Sequence, residues 1–100
     1  MNADPNETVR AHIWVTGLVQ GVGFRAHVDY SARRIGRLTG WVRNVGDTTV
    51  EAVAEGPRQD VERLIEAMRQ GPRASRVDDT RVEWEPVTGE FQFFGVRRSM

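Results

Sequence analysis

Arg25 closes a run in which three glycines fall within seven residues, Gly17-Leu18-Val19-Gln20-Gly21-Val22-Gly23, followed by Phe24. Between a strand and a helix N-terminus, such a run turns several successive backbone N–H groups into one concavity, where the helix dipole adds partial positive charge. That is a seat for a phosphate. Gly21 and Gly23 would let the backbone approach the anion with no Cβ in the way. A guanidinium just beyond the loop adds a planar fork of donors, so loop and Arg25 together make a charged, bidentate clamp. The same composition also fits a plain flexible connector.

Other chemistries are removed by composition. Cysteine is absent and all fourteen Lys+Arg residues are Arg, which excludes thiol nucleophiles, cysteine metal sites, Schiff bases and Walker-type phosphate binding through a lysine. His12 and His27 have no second ligand at metal spacing and are expected on the surface or a sheet face, so no metal site is expected. Fourteen acidic residues balance the cations, so no global field gathers nucleic acid or an anionic membrane, and any anion site must be local. No apolar run approaches a membrane span. Residues 1–8, polar and carrying Pro5, have neither a basic start nor an apolar stretch. They are expected to form a flexible tail ahead of a domain over 9–100, in a cytoplasmic protein.

The elements that must hold the loop follow from periodicity. Val9, Ala11, Ile13 and Val15 alternate with Arg10, His12, Trp14 and Thr16, which predicts a half-buried strand entering the loop. Beyond it, Phe24, Val28, Ala32 and Ile35 form a helical stripe that stops at Gly36. Two strands are expected at about Leu38–Asn44 and Thr48–Glu55, joined by a turn at Val45-Gly46-Asp47, with one face of the second buried. A second helix should begin with Gly56 as N-cap and Pro57 as first residue, bury Val61, Leu64, Ile65 and Met68, and end at Gly71-Pro72. A strand near Thr80–Glu85 burying Val82 and Trp84, then an apolar segment Phe91–Val96, complete the chain. Trp41, Trp84, Phe91, Phe93 and Phe94 are expected in the core and on sheet faces, and Arg33, Arg34 and Arg37 on a solvated face.

That order predicts an α+β fold of the ferredoxin-like, split βαβ type: βαββαβ plus a short C-terminal strand, with two helices on one face of an antiparallel sheet. The fold is shared with RNA-recognition modules, and Gly21-Val22-Gly23-Phe24 faintly resembles their aromatic glycine-rich strand. Here the residues after Gly23 have helical spacing, the second aromatic is missing and net charge is zero, so no nucleic-acid partner is expected.

The run Gly17–Arg25, with Leu38-Thr39-Gly40-Trp41-Val42-Arg43-Asn44 and Val50-Glu51-Ala52-Val53-Ala54-Glu55-Gly56, closely resembles the acylphosphatase family over about Val9 to Val96. The resemblance implies a small hydrolase that splits carboxyl-phosphate anhydrides into a carboxylate and inorganic phosphate without metal or cofactor. Arg25 corresponds to the family's phosphate-binding arginine and Asn44 to the asparagine that holds the attacking water. Gln20, Gly21, Val22, Gly23, Phe24 and Arg25 would form the substrate-binding loop of a monomer whose partners are acyl phosphate and phosphate. Such a reaction needs positioning and charge stabilisation more than a strong nucleophile, and an amide can both donate to and accept from a water. The sequence departs from the family after Asn44, where the usual Asp-Gly order is reversed in Gly46-Asp47, so a differently shaped hairpin is expected. A catalytically idle phosphate-binding or regulatory domain is the alternative.

Overall fold

A computed structural model describes residues 4–100. The elements are β1 (Thr8–Leu18), α1 (Phe24–Ile35), β2 (Thr39–Val45), β3 (Thr49–Pro57), α2 (Arg58–Gln70), β4 (Arg76–Glu85) and β5 (Phe94–Val96). The sheet order is β4-β1-β3-β2-β5, with β1 antiparallel to both its neighbours. Val9, Ala11, Ile13 and Val15 of β1 join Val50, Ala52 and Ala54 of β3 on one face. There they meet Phe24, Val28 and Ala32 of α1 and Val61, Leu64, Ile65 and Met68 of α2 in a single core. Both helices thus cover one face, as the ferredoxin-like expectation requires.

The sheet is mixed, however, because β5 pairs parallel to β2. Residues 86–93 return the chain at the end of the sheet where β4 finished. A strand leaving that end must run opposite to β4, which is the direction of β2. The connection is tied to the sheet by Glu55, whose carboxylate accepts the Thr88 and Gly89 N–H groups at 2.9 and 3.0 Å.

β3 departs from the expectation of one buried face, since both its faces are covered. Glu51 and Glu55 are buried on the side away from the helices, where they meet His12 and Arg43, and Arg10. The start of α2 is also shifted. Gly56 is still paired with Val9 in the sheet, and Pro57 is the N-cap, with φ −56° and ψ 138°. A Cβ on residue 56 would lie 2.6 Å from the Arg37 carbonyl oxygen, which is why this strand end takes glycine.

Residues 4–7 run against the start of α2. The carbonyls of Glu7 and Pro5 accept the Arg58 and Gln59 N–H groups at 2.9 and 3.0 Å, satisfying donors that the first turn of α2 would leave open. Residues 1–3 of the expected tail lie outside the described residues. Of the aromatics, Trp41 and Phe94 are buried, but Trp84 is half exposed beneath the Arg58 guanidinium and Phe93 is exposed. Edge strand β4 pairs only with β1 and has no strand on its outer side beside Trp84, and β5 begins only after Phe93.

Candidate active site

The loop after β1 ends in Gly23, which caps α1 in the left-handed conformation with no side-chain hydrogen bond, and the first turn of α1 has no acidic residue. The first helical bond runs from His27 N–H to the Gly23 carbonyl at 3.0 Å. The N–H groups ahead of it therefore have no intrahelical acceptor. The two helix starts differ in this respect. That of α2 donates to the carbonyls of Glu7 and Pro5 and carries Asp60 in its first turn, whereas that of α1 has neither. Gly21 and Gly23 have φ +73° and +77°, and a Cβ on either would meet no protein atom within 4 Å. The space above both glycines is free for a ligand.

That space opens into a cleft of about 490 Å³, into which Gly21, Gly23, Arg25 and Asn44 all face. Arg25, on the first turn of α1, is half-buried, and its Nη1 donates to Ser99 Oγ at 3.5 Å. Asn44 comes from the end of β2, opposite Val50 of β3. Its Oδ1 is buried without a hydrogen-bond partner. An amide oxygen in that condition is short of a donor, which a water or ligand in the cleft would supply. Gly21, Gly23, Arg25 and Asn44, which come from separate segments, thus line one cavity.

The expected loop residues divide. Gly21 and Gly23 face the cleft, Val22 packs against the core, and the Phe24 ring is buried, leaving its backbone to the site. The Gln20 side chain is not directed at a ligand. Its Nε2 donates to the carbonyls of Val45, Gly46 and Thr49 at 3.3, 3.0 and 2.9 Å, joining the glycine loop to the β2–β3 turn beside Asn44. That turn occupies Gly46, Asp47 and Thr48 with Gly46 at φ +58°, and Asp47 is exposed.

The histidines lie elsewhere. His12 stands on the open sheet face between Glu51 and Glu85, stacked on Trp14. His27, expected like His12 on the surface or a sheet face, instead bridges the helices, with Nε2 3.2 Å from the Ala67 carbonyl. No group of three or more potential metal ligands occurs among the described residues.

Two groups of residues, one beside the cleft and one lining it, escape the sequence reading. After β5 the chain continues beside β2, with Arg97 N–H on the Val42 carbonyl, Met100 N–H on the Asn44 carbonyl and Gly46 N–H on the Met100 carbonyl. This brings Ser99 to Arg25. The other group is Asp29, Tyr30 and Arg33 on α1, which with Val96 extend the cleft away from the loop. The spacing of Arg25, Asp29 and Arg33 at every fourth residue marks one helix stripe and was the available signal.

The acylphosphatase family model matches residues 11–96. An acylphosphatase of Pyrobaculum islandicum is 50% identical over 91 residues, which cover 90% of this chain and 95% of the relative. One from Anaeromyxobacter sp. is 52% identical over 91 residues, 91% of this chain and 97% of the relative. The crystal structure of acylphosphatase from Bacillus subtilis superimposes with a TM-score of 0.83 at 36% identity, covering 89% of this chain and 98% of that one. The loop, the open helix start and the residues facing them therefore sit in a chain that belongs to the acylphosphatase family.

Proposed function

We propose that this protein hydrolyses acyl phosphates to a carboxylate and inorganic phosphate, with Arg25 and the loop amides holding the phosphoryl group and Asn44 holding the water. The non-bridging oxygens lie against the N–H groups from Gly21 to Arg25 and the Arg25 guanidinium, which stabilise charge as the phosphoryl group is transferred. The Asn44 amide orients a water toward phosphorus, opposite the acyl oxygen. The water oxygen bonds to phosphorus, the bond to the acyl oxygen breaks, and its electron pair leaves with the carboxylate. One water proton passes to a phosphate oxygen, so no side chain need titrate. The observation that carries this reading is the uncapped start of α1, opening into one cleft with Arg25 and Asn44. No described helix is long and apolar enough to cross a membrane. A cytoplasmic monomer acting on small acyl phosphates is part of the same proposal.

The test is hydrolysis of benzoyl phosphate, followed by ultraviolet absorbance, for the wild type, Arg25→Ala and Asn44→Ala, each shown folded by circular dichroism. Turnover by the wild type and losses of about 10²-fold or more in both variants are expected, the scale for removing a preorganised stabilising group. A folded but inert wild type that still binds phosphate would favour the idle phosphate-binding domain instead.

A further inference from the structure

The cleft is longer than a phosphate requires. From Arg25 it continues along α1 past Ala26, Asp29 and Tyr30, with Val96 of β5 on its other wall. Asp29 lies one helical turn beyond Arg25, on the same stripe. One of its oxygens, Oδ2, accepts from Arg33 Nε at 3.1 Å, and Arg33 also donates through Nη2 to the Phe94 carbonyl at 3.4 Å. The other oxygen, Oδ1, is buried with no partner. Arg33 thus pairs with one carboxylate oxygen and leaves the other without a partner. A carboxylate oxygen shielded from water and unpaired is costly, and a donor arriving along the cleft relieves that cost. The terminal torsion of an aspartate is broad, so the oxygen turns toward such a donor with little strain.

We infer that the stretch from Arg25 to Asp29 receives the acyl group, and that Asp29 is a specificity-determining residue selecting acyl phosphates whose acyl part carries an N–H or O–H donor over their hydrocarbon counterparts. This rests on the hydrolase reading above and adds the substrate class. The apolar parts of Val19, Ala26 and Val96 accept the carbon skeleton, and Asp29 reads the polar substituent. A site built to hydrogen-bond a substrate group discriminates against the analogue lacking it, because its own acceptor is then left unpaired.

The experiment compares kcat/KM within two pairs of nearly equal shape, carbamoyl with acetyl phosphate and 3-hydroxybutyryl with 3-methylbutyryl phosphate, in the wild type and in Asp29→Leu. Intrinsic reactivity cancels when the within-pair ratio of the wild type is divided by that of the variant. The donor-bearing member of at least one pair is expected to lose about tenfold of its relative advantage, the scale of one hydrogen bond to a charged acceptor. A purely structural role for Asp29 lowers both members alike and leaves the ratio unmoved. Asp29→Asn, which keeps the shape, serves if the leucine variant does not fold, with a smaller shift in the same direction. A wild type active on all four substrates, with ratios unchanged in the folded variant, overturns the inference alone. A wild type inert toward all four overturns the hydrolase reading and this inference with it.

Discussion

The side-chain amide of Gln20 donates to the backbone carbonyl of Gly46 at 3.0 Å, across 26 residues of sequence. With its bonds to Val45 and Thr49, it fixes the loop that would hold phosphate against the turn that follows Asn44. The two halves of the site come from separate segments, so their mutual distance depends on such a tie. Gln20→Leu is expected to keep the fold and lower kcat by about tenfold with a smaller change in KM, because misplaced groups cost rate before they cost binding. Steady-state kinetics on benzoyl phosphate checks this. A rise confined to KM would mean that Gln20 touches the ligand instead.

The conformation of Gly21 supplies a second prediction. In Gly21→Val the added Cβ meets no protein atom within 4 Å, and a side chain at φ +73° costs about 1–2 kcal/mol. The added carbons enter the space where anion oxygens would sit. Phosphate affinity should fall at least tenfold by isothermal titration while the melting temperature drops by about 4–16 °C, the shift that such a cost produces in a domain of this size. Unchanged affinity in a folded Gly21→Val variant would remove the loop from the site.

These tests follow a site that was only partly legible in the sequence. Alternation and helical spacing marked β1 and α1, because each buries one face in a common core and so repeats its apolar residues regularly. The loop and Arg25 were legible from residue chemistry, whereas Asn44 stood out only through family resemblance, since a lone asparagine in a strand carries no spacing signal. Gln20 was legible as a loop residue but not as a tie, because its acceptors are backbone carbonyls 25 to 29 residues away. The parallel pairing of β5 and the approach of Ser99 to Arg25 were illegible for a related reason. A short edge strand and its continuation are placed by where the preceding loop returns the chain.

The rate should vary little with pH between about 5 and 7, since neither an arginine nor an amide titrates there. Neither histidine lines the cleft, His12 lying against the open sheet face and His27 between the helices. A pH profile of kcat/KM on benzoyl phosphate is the check. A step near the ordinary histidine range would require a general base in the mechanism.

Acid should act on stability through Glu55. Burial alone would raise its carboxyl, but the Thr88 N–H, the Arg10 guanidinium and the Gly89 N–H together hold it below its ordinary 4.5. Glu85 is also lowered, mainly by hydrogen bonds from His12 and Arg10. A carboxyl lowered on folding contributes stability that is fully present above its unfolded value and is lost as pH falls through the folded one. Unfolding free energy should therefore hold above about pH 5 and decline below the ordinary carboxyl range. Glu55→Gln should cost about 2 kcal/mol at pH 7 and flatten that decline, because it leaves the Thr88 and Gly89 N–H groups without a charged acceptor and takes from Arg10 one of its three carboxylate partners. Urea titrations of both proteins from pH 3 to 7 measure it, and parallel curves would mean that Glu55 is not the group responsible.

The segment after β5 bears on the rate from the other side of the cleft. Its Met100 N–H and C=O bridge the Asn44 carbonyl and the Gly46 N–H at 3.0 and 3.1 Å, so it braces the end of β2 that carries Asn44. Ser99 Oγ lies at the limit of hydrogen bonding from Arg25, a contact that a phosphate oxygen would displace at little cost. The backbone brace and the hydroxyl contact thus predict different effects. Ser99→Ala removes only the hydroxyl and should leave kcat within about twofold, with KM unchanged or slightly lower. Deleting residues 98–100 removes the brace, and with Asn44 less firmly held kcat should fall several-fold at nearly constant KM. If Ser99→Ala lowers kcat as far as the deletion does, the hydroxyl itself assists Arg25 and the brace is secondary.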